Sequence, residues 1–132
     1  MIVVDASVLV AFLVEPGMSA HVRAAFARHG DDLHAPAHVD LEVLSALRRL
    51  TAAGLLTAAR ATAAVEDFLD VPLVRHGVEG LTPRVWALHA HVSPYDAAYL
   101  ALAEALGTAV LTCDGRLARA HGHAVPVEVV TH

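Results

Sequence analysis

The 132 residues amount to one ordinary domain, and a composition of 56% hydrophobic and 17% charged residues favours a packed core over disorder. The formal net charge is −5, so any nucleic-acid binding must come from local arginine patches and bound cations, not from bulk charge. All nine fixed cations are arginine and none is lysine, which argues against a P-loop and against aspartate-based phosphotransferases and receiver domains.

Cys113 is the only cysteine, so intrachain disulfides and a cysteine-rich zinc site are excluded. No apolar run is long enough to span a membrane, and Met1 leads within four residues to Asp5 without a basic segment. The expectation is a cytoplasmic protein made of a single domain over residues 1–132.

In chain order, residues 2–4 read as a short buried strand and residues 6–14 as a helix. Glu15-Pro16-Gly17 breaks that helix, and residues 19–28 read as a second one. A weak strand over 33–35 precedes Pro36. Residues 38–52 carry Val39, Val43, Leu44, Leu47 and Leu50 at helical spacing, with Gly54 beyond the end. A helix over 57–69, a strand over 71–74 and consecutive helices over 78–91 and 93–106 follow, the last stopped by Gly107. Residues 109–112 form a strand, 115–121 a short helix and 127–130 a final strand. Short apolar strands alternating with helices predict an α/β fold: a three-layer α/β/α domain around a parallel sheet of four to five strands. In such sheets the site lies beyond the carboxyl ends of the strands.

Two acids fall there. Asp5 directly follows the first strand, and Asp114 stands just after the strand ending at Thr112. Asp96 lies in the first turn of the Ser93 helix, and Glu42 lies on a polar stripe with Ser45 and Arg49. Singly, each has an ordinary explanation. Asp5 and Asp114 are suited to cap helices, Ser93-Pro94-Tyr95-Asp96 has the form of a helix start, and Glu42 fits a solvated face. The four together carry the argument.

Four blocks, in this order and at these spacings, resemble the PIN-domain family and within it the VapC-type toxins. They are Ile2-Val3-Val4-Asp5-Ala6-Ser7-Val8-Leu9, Glu42-Val43-Leu44-Ser45-Ala46-Leu47-Arg48-Arg49, the stretch from Ser93-Pro94-Tyr95-Asp96 to Ala103, and Leu111-Thr112-Cys113-Asp114-Gly115-Arg116-Leu117. The resemblance implies that Asp5, Glu42, Asp96 and Asp114 form a catalytic, metal-binding acidic cluster, supported by Ser7 and Thr112. Ser45, also a supporting candidate, stands where many members carry asparagine. It further implies a metal-dependent endoribonuclease, a VapB-like antitoxin whose C-terminal segment brings an apolar face and an arginine to the pocket, and a homodimer.

The chemistry is consistent. Magnesium and manganese take oxygen ligands. Two carboxylates about 4 Å apart repel by about 4 kcal/mol at an effective dielectric near 20, so an acidic cluster is favourable only with a cation. One cation would activate a water, and a second, if bound about 3.5–4 Å away, would stabilise the leaving oxygen. Asp5 and Asp96 are the expected primary ligands, Glu42 a ligand or water-orienting base, and Asp114 the holder of a weaker second metal.

Arg48, Arg49, Arg84, Arg116 and Arg119 are candidates for contacting RNA phosphates. Apolar faces of the 38–52 and 57–69 helices are candidate partner surfaces. His89/His91 and His121/His123 look like metal pairs, but alternate residues on a helix point apart and no third ligand is near in sequence. Cys113 is expected to be packed. Three rivals remain: a PIN-type RNA-processing nuclease without an antitoxin, a non-catalytic interaction module on the same fold, and an aspartate-nucleophile phosphatase. The last lacks a lysine and has Ser7 where its second aspartate belongs.

Overall fold

Ile2–Val4 forms strand β1, and all three residues are buried, as expected of a strand covered on both faces. A computed structural model describes residues 1–132. The other strands are β2 (Leu33–Pro36), β3 (Leu73–His76), β4 (Val110–Thr112) and β5 (Val127–Val129). They make a five-stranded sheet in the order β3-β2-β1-β4-β5, parallel throughout.

The helices are α1 (Ala6–Val14), α2 (Pro16–Arg28), α3 (Val39–Ala52), α4 (Ala58–Asp70), α5 (Thr82–Ala87), α6 (Pro94–Leu106) and α7 (Gly115–Ala118). The chain moves outward from β1 to β2 and β3, then returns past β1 to β4 and β5. With right-handed crossovers, the helices of the first half lie on one face and α6 on the other. The packing agrees: α1 touches α2, α3 and α4, whereas α6 lies against β1, β2, β4 and α5. This three-layer α/β/α arrangement is the one predicted.

The core explains why the helices sit where they do. Val8 to Ala11 of α1 are all buried, as is the unbroken run from Ala97 to Ala103 of α6. Small alanines let α6 lie close on the sheet, with Tyr99, Leu100 and Leu102 filling the gaps. Strand order reverses between β1 and β4, which opens a crevice at their carboxyl ends.

Most boundaries fall within a residue of expectation, and four differ by more. Glu15-Pro16-Gly17 does not separate two helices by a loop: Pro16 is the first residue of α2, where its missing N–H costs nothing. β3 begins at Leu73, not Val71, because Pro72 cannot donate to a ladder; the two-residue shift preserves which side chains share a face. The helix expected over 78–91 is a 3-10 turn at Glu79–Leu81 followed by α5, with Pro83 in its first turn. The last helix stops at Ala118.

Candidate active site

Asp5 lies at the junction of β1 and α1, only 8% exposed, and both of its carboxylate oxygens are held. One accepts from the Ser7 hydroxyl at 2.6 Å and from the Val8 backbone N–H at 3.2 Å; the other accepts from the Thr112 hydroxyl at 2.5 Å. The register Val4↔Leu111 brings the ends of β1 and β4 together and makes this possible. The two hydroxyls are themselves fixed. Ser7 Oγ accepts from the Cys113 N–H and Thr112 Oγ1 from the Asp114 N–H, both at 2.9 Å. With their protons committed to Asp5 and a lone pair to the backbone, they orient one carboxylate and tie it to the loop that carries another. Burial pushes the Asp5 carboxyl above the usual aspartate range, against the pull of these hydrogen bonds.

Glu42 reaches the same cavity from α3. Its Oε1 accepts from the Tyr99 hydroxyl at 2.6 Å and lies 3.0 Å from His38 Nε2, which also donates to the Tyr95 carbonyl. Burial would raise this carboxyl, but the hydrogen bonds from His38 and Tyr99 prevail and hold it below the ordinary range. Asp96 stands in the first turn of α6, with its backbone N–H capped by Ser93 Oγ at 3.2 Å. Its carboxylate accepts no hydrogen bond from the protein; half-burial and then the charge of Glu42 push it up. Asp114 faces outward to Arg116, whose guanidinium donates to both of its oxygens, and this pairing draws the carboxyl down.

All four acids line one cavity of about 460 Å³ at the carboxyl end of the sheet, joined by a fifth, Glu15, from the α1–α2 junction. As the side chains stand, no three His, Cys, Asp or Glu groups converge closely enough to enclose an ion. Asp114 is turned toward Arg116, and Glu42 toward Tyr99 and His38. The donor set nevertheless suits a hard cation: every acidic ligand is oxygen, and Asp5 and Asp96 are carboxyls whose charged form burial disfavours, an effect that the hydrogen bonds to Asp5 and the charges of Arg116 and His38 near Asp96 offset only in part.

Residues 2–122 match the PIN domain. The chain belongs to the PIN-domain family. It is 39% identical to Ribonuclease VapC12 of Mycobacterium tuberculosis over 132 residues, covering 98% of this chain and 99% of that relative. It is 46% identical to Ribonuclease VapC3 of the same organism over 120 residues, 90% of this chain and 86% of the other. Among solved structures, Mycobacterium tuberculosis VapC20, a toxin that cleaves the sarcin-ricin loop, superposes with a TM-score of 0.68 over 90% of this chain and 94% of its own, at 20% identity. That likeness speaks to the fold.

Ser7, Ser45 and Arg49 also line the PIN-domain cavity, with Ser45 accepting from Arg49 at 3.0 Å. Arg116 sits at the rim, 80% exposed, and Arg119 in a neighbouring hollow. Two arginines lie elsewhere. Arg84 bonds Glu104, far down α6 from Asp96, and the Gly122 carbonyl, so it anchors a loop. Arg48 lines the groove between α3 and α4. Cys113 is half-buried on the cavity wall, its thiol pushed up to about 11 chiefly by burial.

Sequence reasoning passed over Tyr99, His38 and Glu15. Two signals were readable: Tyr99 follows Asp96 by three residues and His38 precedes Glu42 by four, so each shares a helix face with its acid.

Proposed function

We propose that this protein is a VapC-type toxin: an endoribonuclease that hydrolyses RNA phosphodiesters at the acidic cavity with magnesium or manganese. The observation that carries the reading is the meeting of Asp5, Glu42, Asp96 and Asp114 on one cavity at the strand ends. It occurs in a chain 39–46% identical, across most of its length, to proteins named ribonucleases.

In this reading Asp5 and Asp96 are the primary cation ligands, with Glu42 and Asp114 completing the set. A bound cation lowers the pKa of a water and neutralises charge gathering on the phosphate. The protein's own residues do the positioning. Ser7 and Thr112 hold Asp5 in one orientation, and Tyr99 and His38 do the same for Glu42. Glu42, kept ionised by those partners, is suited to accept the proton of the attacking water. This route leaves the ribose 2′-hydroxyl unused, giving a 5′-phosphate and a 3′-hydroxyl.

No helix is long and apolar enough to cross a membrane, and we place the protein in the cytoplasm as one catalytic domain over residues 1–132. Its partners are RNA, a second copy of itself and a VapB-like antitoxin. The acidic cavity offers an antitoxin arginine the ligand it needs, and the apolar groove between α3 and α4 offers a place for an apolar segment.

The test is cleavage of structured and total RNA with magnesium, manganese or chelator, beside Asp5→Asn and Asp96→Asn. Metal-dependent cutting lost in both variants is expected. A folded, antitoxin-free protein that cuts nothing with any metal would remove the catalytic reading and leave the interaction module.

A further inference from the structure

Beside the acidic cavity lies a second hollow of about 740 Å³ with the opposite charge balance, and the two meet at Asp96 and Arg116, which line both. The acidic cavity holds five carboxylates against two guanidiniums. The second holds Asp96 alone against Arg116 and Arg119, with the imidazoles of His91 and His121 on its wall.

Arg116 is paired with Asp114, but the other donors of this hollow are free. Most other arginines are engaged: Arg28, Arg75 and Arg84 with carboxylates, Arg60 with the Leu13 carbonyl, Arg49 with Ser45. Arg119 makes no hydrogen bond or ion pair with a protein oxygen; its guanidinium lies folded back over Gly115, near enough for its charge to act on Asp114. The His91 and His121 rings likewise make no hydrogen bond within the protein.

The wall is also built to hold its shape. Gly122 has φ +87°, and a Cβ there would come within 2.4 Å of the His91 ring, so only glycine lets the 120–124 loop close against this histidine. Arg84 anchors the same loop through the Gly122 carbonyl. The histidine pairs that look like zinc ligands in the sequence thus stand apart: His91 and His121 face this hollow, whereas His89 stacks on Trp86.

We propose that this second hollow is a phosphate subsite, taking a backbone phosphate of the RNA strand next to the one bound in the acidic cavity. The inference rests on the nuclease reading. An anionic strand needs a cation-rich place on a chain of net charge −5, and one that adjoins the acidic cavity fixes the register of the scissile bond. Arg119 is the principal donor, Arg116 the shared one, and the two imidazoles supply N–H groups. Because the contact is to phosphate, it is blind to base identity.

The test measures binding of a short fluorescein-labelled single-stranded RNA to the cleavage-deficient Asp5→Asn protein across a salt series, with cleavage by the wild-type protein followed in parallel. On that background, Arg119→Ala is expected to weaken binding about fivefold and to lower the slope of log affinity against log salt by about 0.7, the value for one lost contact on a single strand. Arg119→Lys keeps the slope, and Arg23→Ala, on α2 over the Phe12 ring, changes neither quantity. His91→Ala weakens binding as well. If the wild-type protein cuts RNA but Arg119→Ala and His91→Ala bind with unchanged affinity and slope, the subsite is wrong and the nuclease stands. If the wild-type protein neither cuts nor binds RNA, both readings fall.

Discussion

The Tyr99 hydroxyl donates to Glu42 Oε1 at 2.6 Å, joining α6 to α3 across the mouth of the crevice. The phenol is 2% exposed, and burial followed by the neighbouring Glu42 charge drives its own ionisation far out of reach, so it is a permanent donor. Tyr99→Phe removes that donor without opening a cavity. The Glu42 carboxyl, held down by His38 and Tyr99 against burial, then moves up. Glu42 is needed ionised, so the acid limb of the kcat/KM profile for RNA cleavage should shift to higher pH. Stability should fall by about 1.5–3 kcal/mol, the worth of a hydrogen bond to a charged group. An unshifted acid limb would mean that Glu42 is not the proton acceptor.

Asp96 has the reverse problem. Its carboxyl is raised by burial and by Glu42, and no protein donor relieves it. Between the ordinary aspartate value of 3.8 and the raised folded value, the native state holds more proton than the unfolded chain. Stability from this group is therefore complete at low pH and is lost as pH rises through the folded pKa. In chelator at neutral pH, Asp96→Asn should melt above the wild type. Adding manganese at about 100 times its Kd should stabilise the wild type by about 2.7 kcal/mol and the variant much less. Equal manganese shifts in both proteins would take Asp96 out of the ligand set.

Ser7 and Thr112 hold the two oxygens of one carboxylate. Thr112→Val keeps the shape but strands the Asp114 N–H, and Ser7→Ala strands the Cys113 N–H. Each should cost about 1–3 kcal/mol in denaturant unfolding. Each should also lower RNA cleavage by about 10–100-fold, as losses of ligand-orienting partners do. Because both act on Asp5, the double variant should lose less than the two losses combined. Strict additivity in cleavage would mean that the hydroxyls act on separate groups.

The four acids were legible together, through blocks that resemble the PIN-domain family in order and spacing; singly, a strand end, a capped helix start and a polar stripe each had an ordinary explanation. The parallel sheet was legible because period and turn residues are local. What the sequence hid were relationships between elements. Tyr99 sits within the Asp96 block but reads as a core aromatic until α3 and α6 are seen to meet at their N-terminal ends. Arg84 and Arg48 read as RNA contacts on charge alone, yet which way α5 and α3 face decides that one anchors a loop and the other borders an apolar groove. Glu15 has the look of a helix break because a proline follows it, yet Pro16 starts α2. The positively charged hollow was invisible for a plainer reason: His91, Arg119 and His121 come from segments that only the fold brings to one wall.

Arg116 occupies Asp114 in this structure, donating to both oxygens while remaining 80% exposed itself. A cation that takes Asp114 as a ligand must displace this guanidinium. The displacement is cheap, because an exposed ion pair contributes little and the freed side chain stays in water. Arg116→Ala removes the competitor, so manganese affinity should tighten by about two- to fivefold by titration calorimetry. The Asp114 carboxyl, held down first by its hydrogen bond from Arg116, should rise toward the ordinary range at the same time. RNA affinity should move the other way, because the same side chain faces the neighbouring hollow. Opposite changes in metal and RNA binding are the signature of one arginine exchanged between a carboxylate and a phosphate. A weaker metal affinity in Arg116→Ala would show instead that the arginine orients Asp114 for the cation, and the exchange would be wrong.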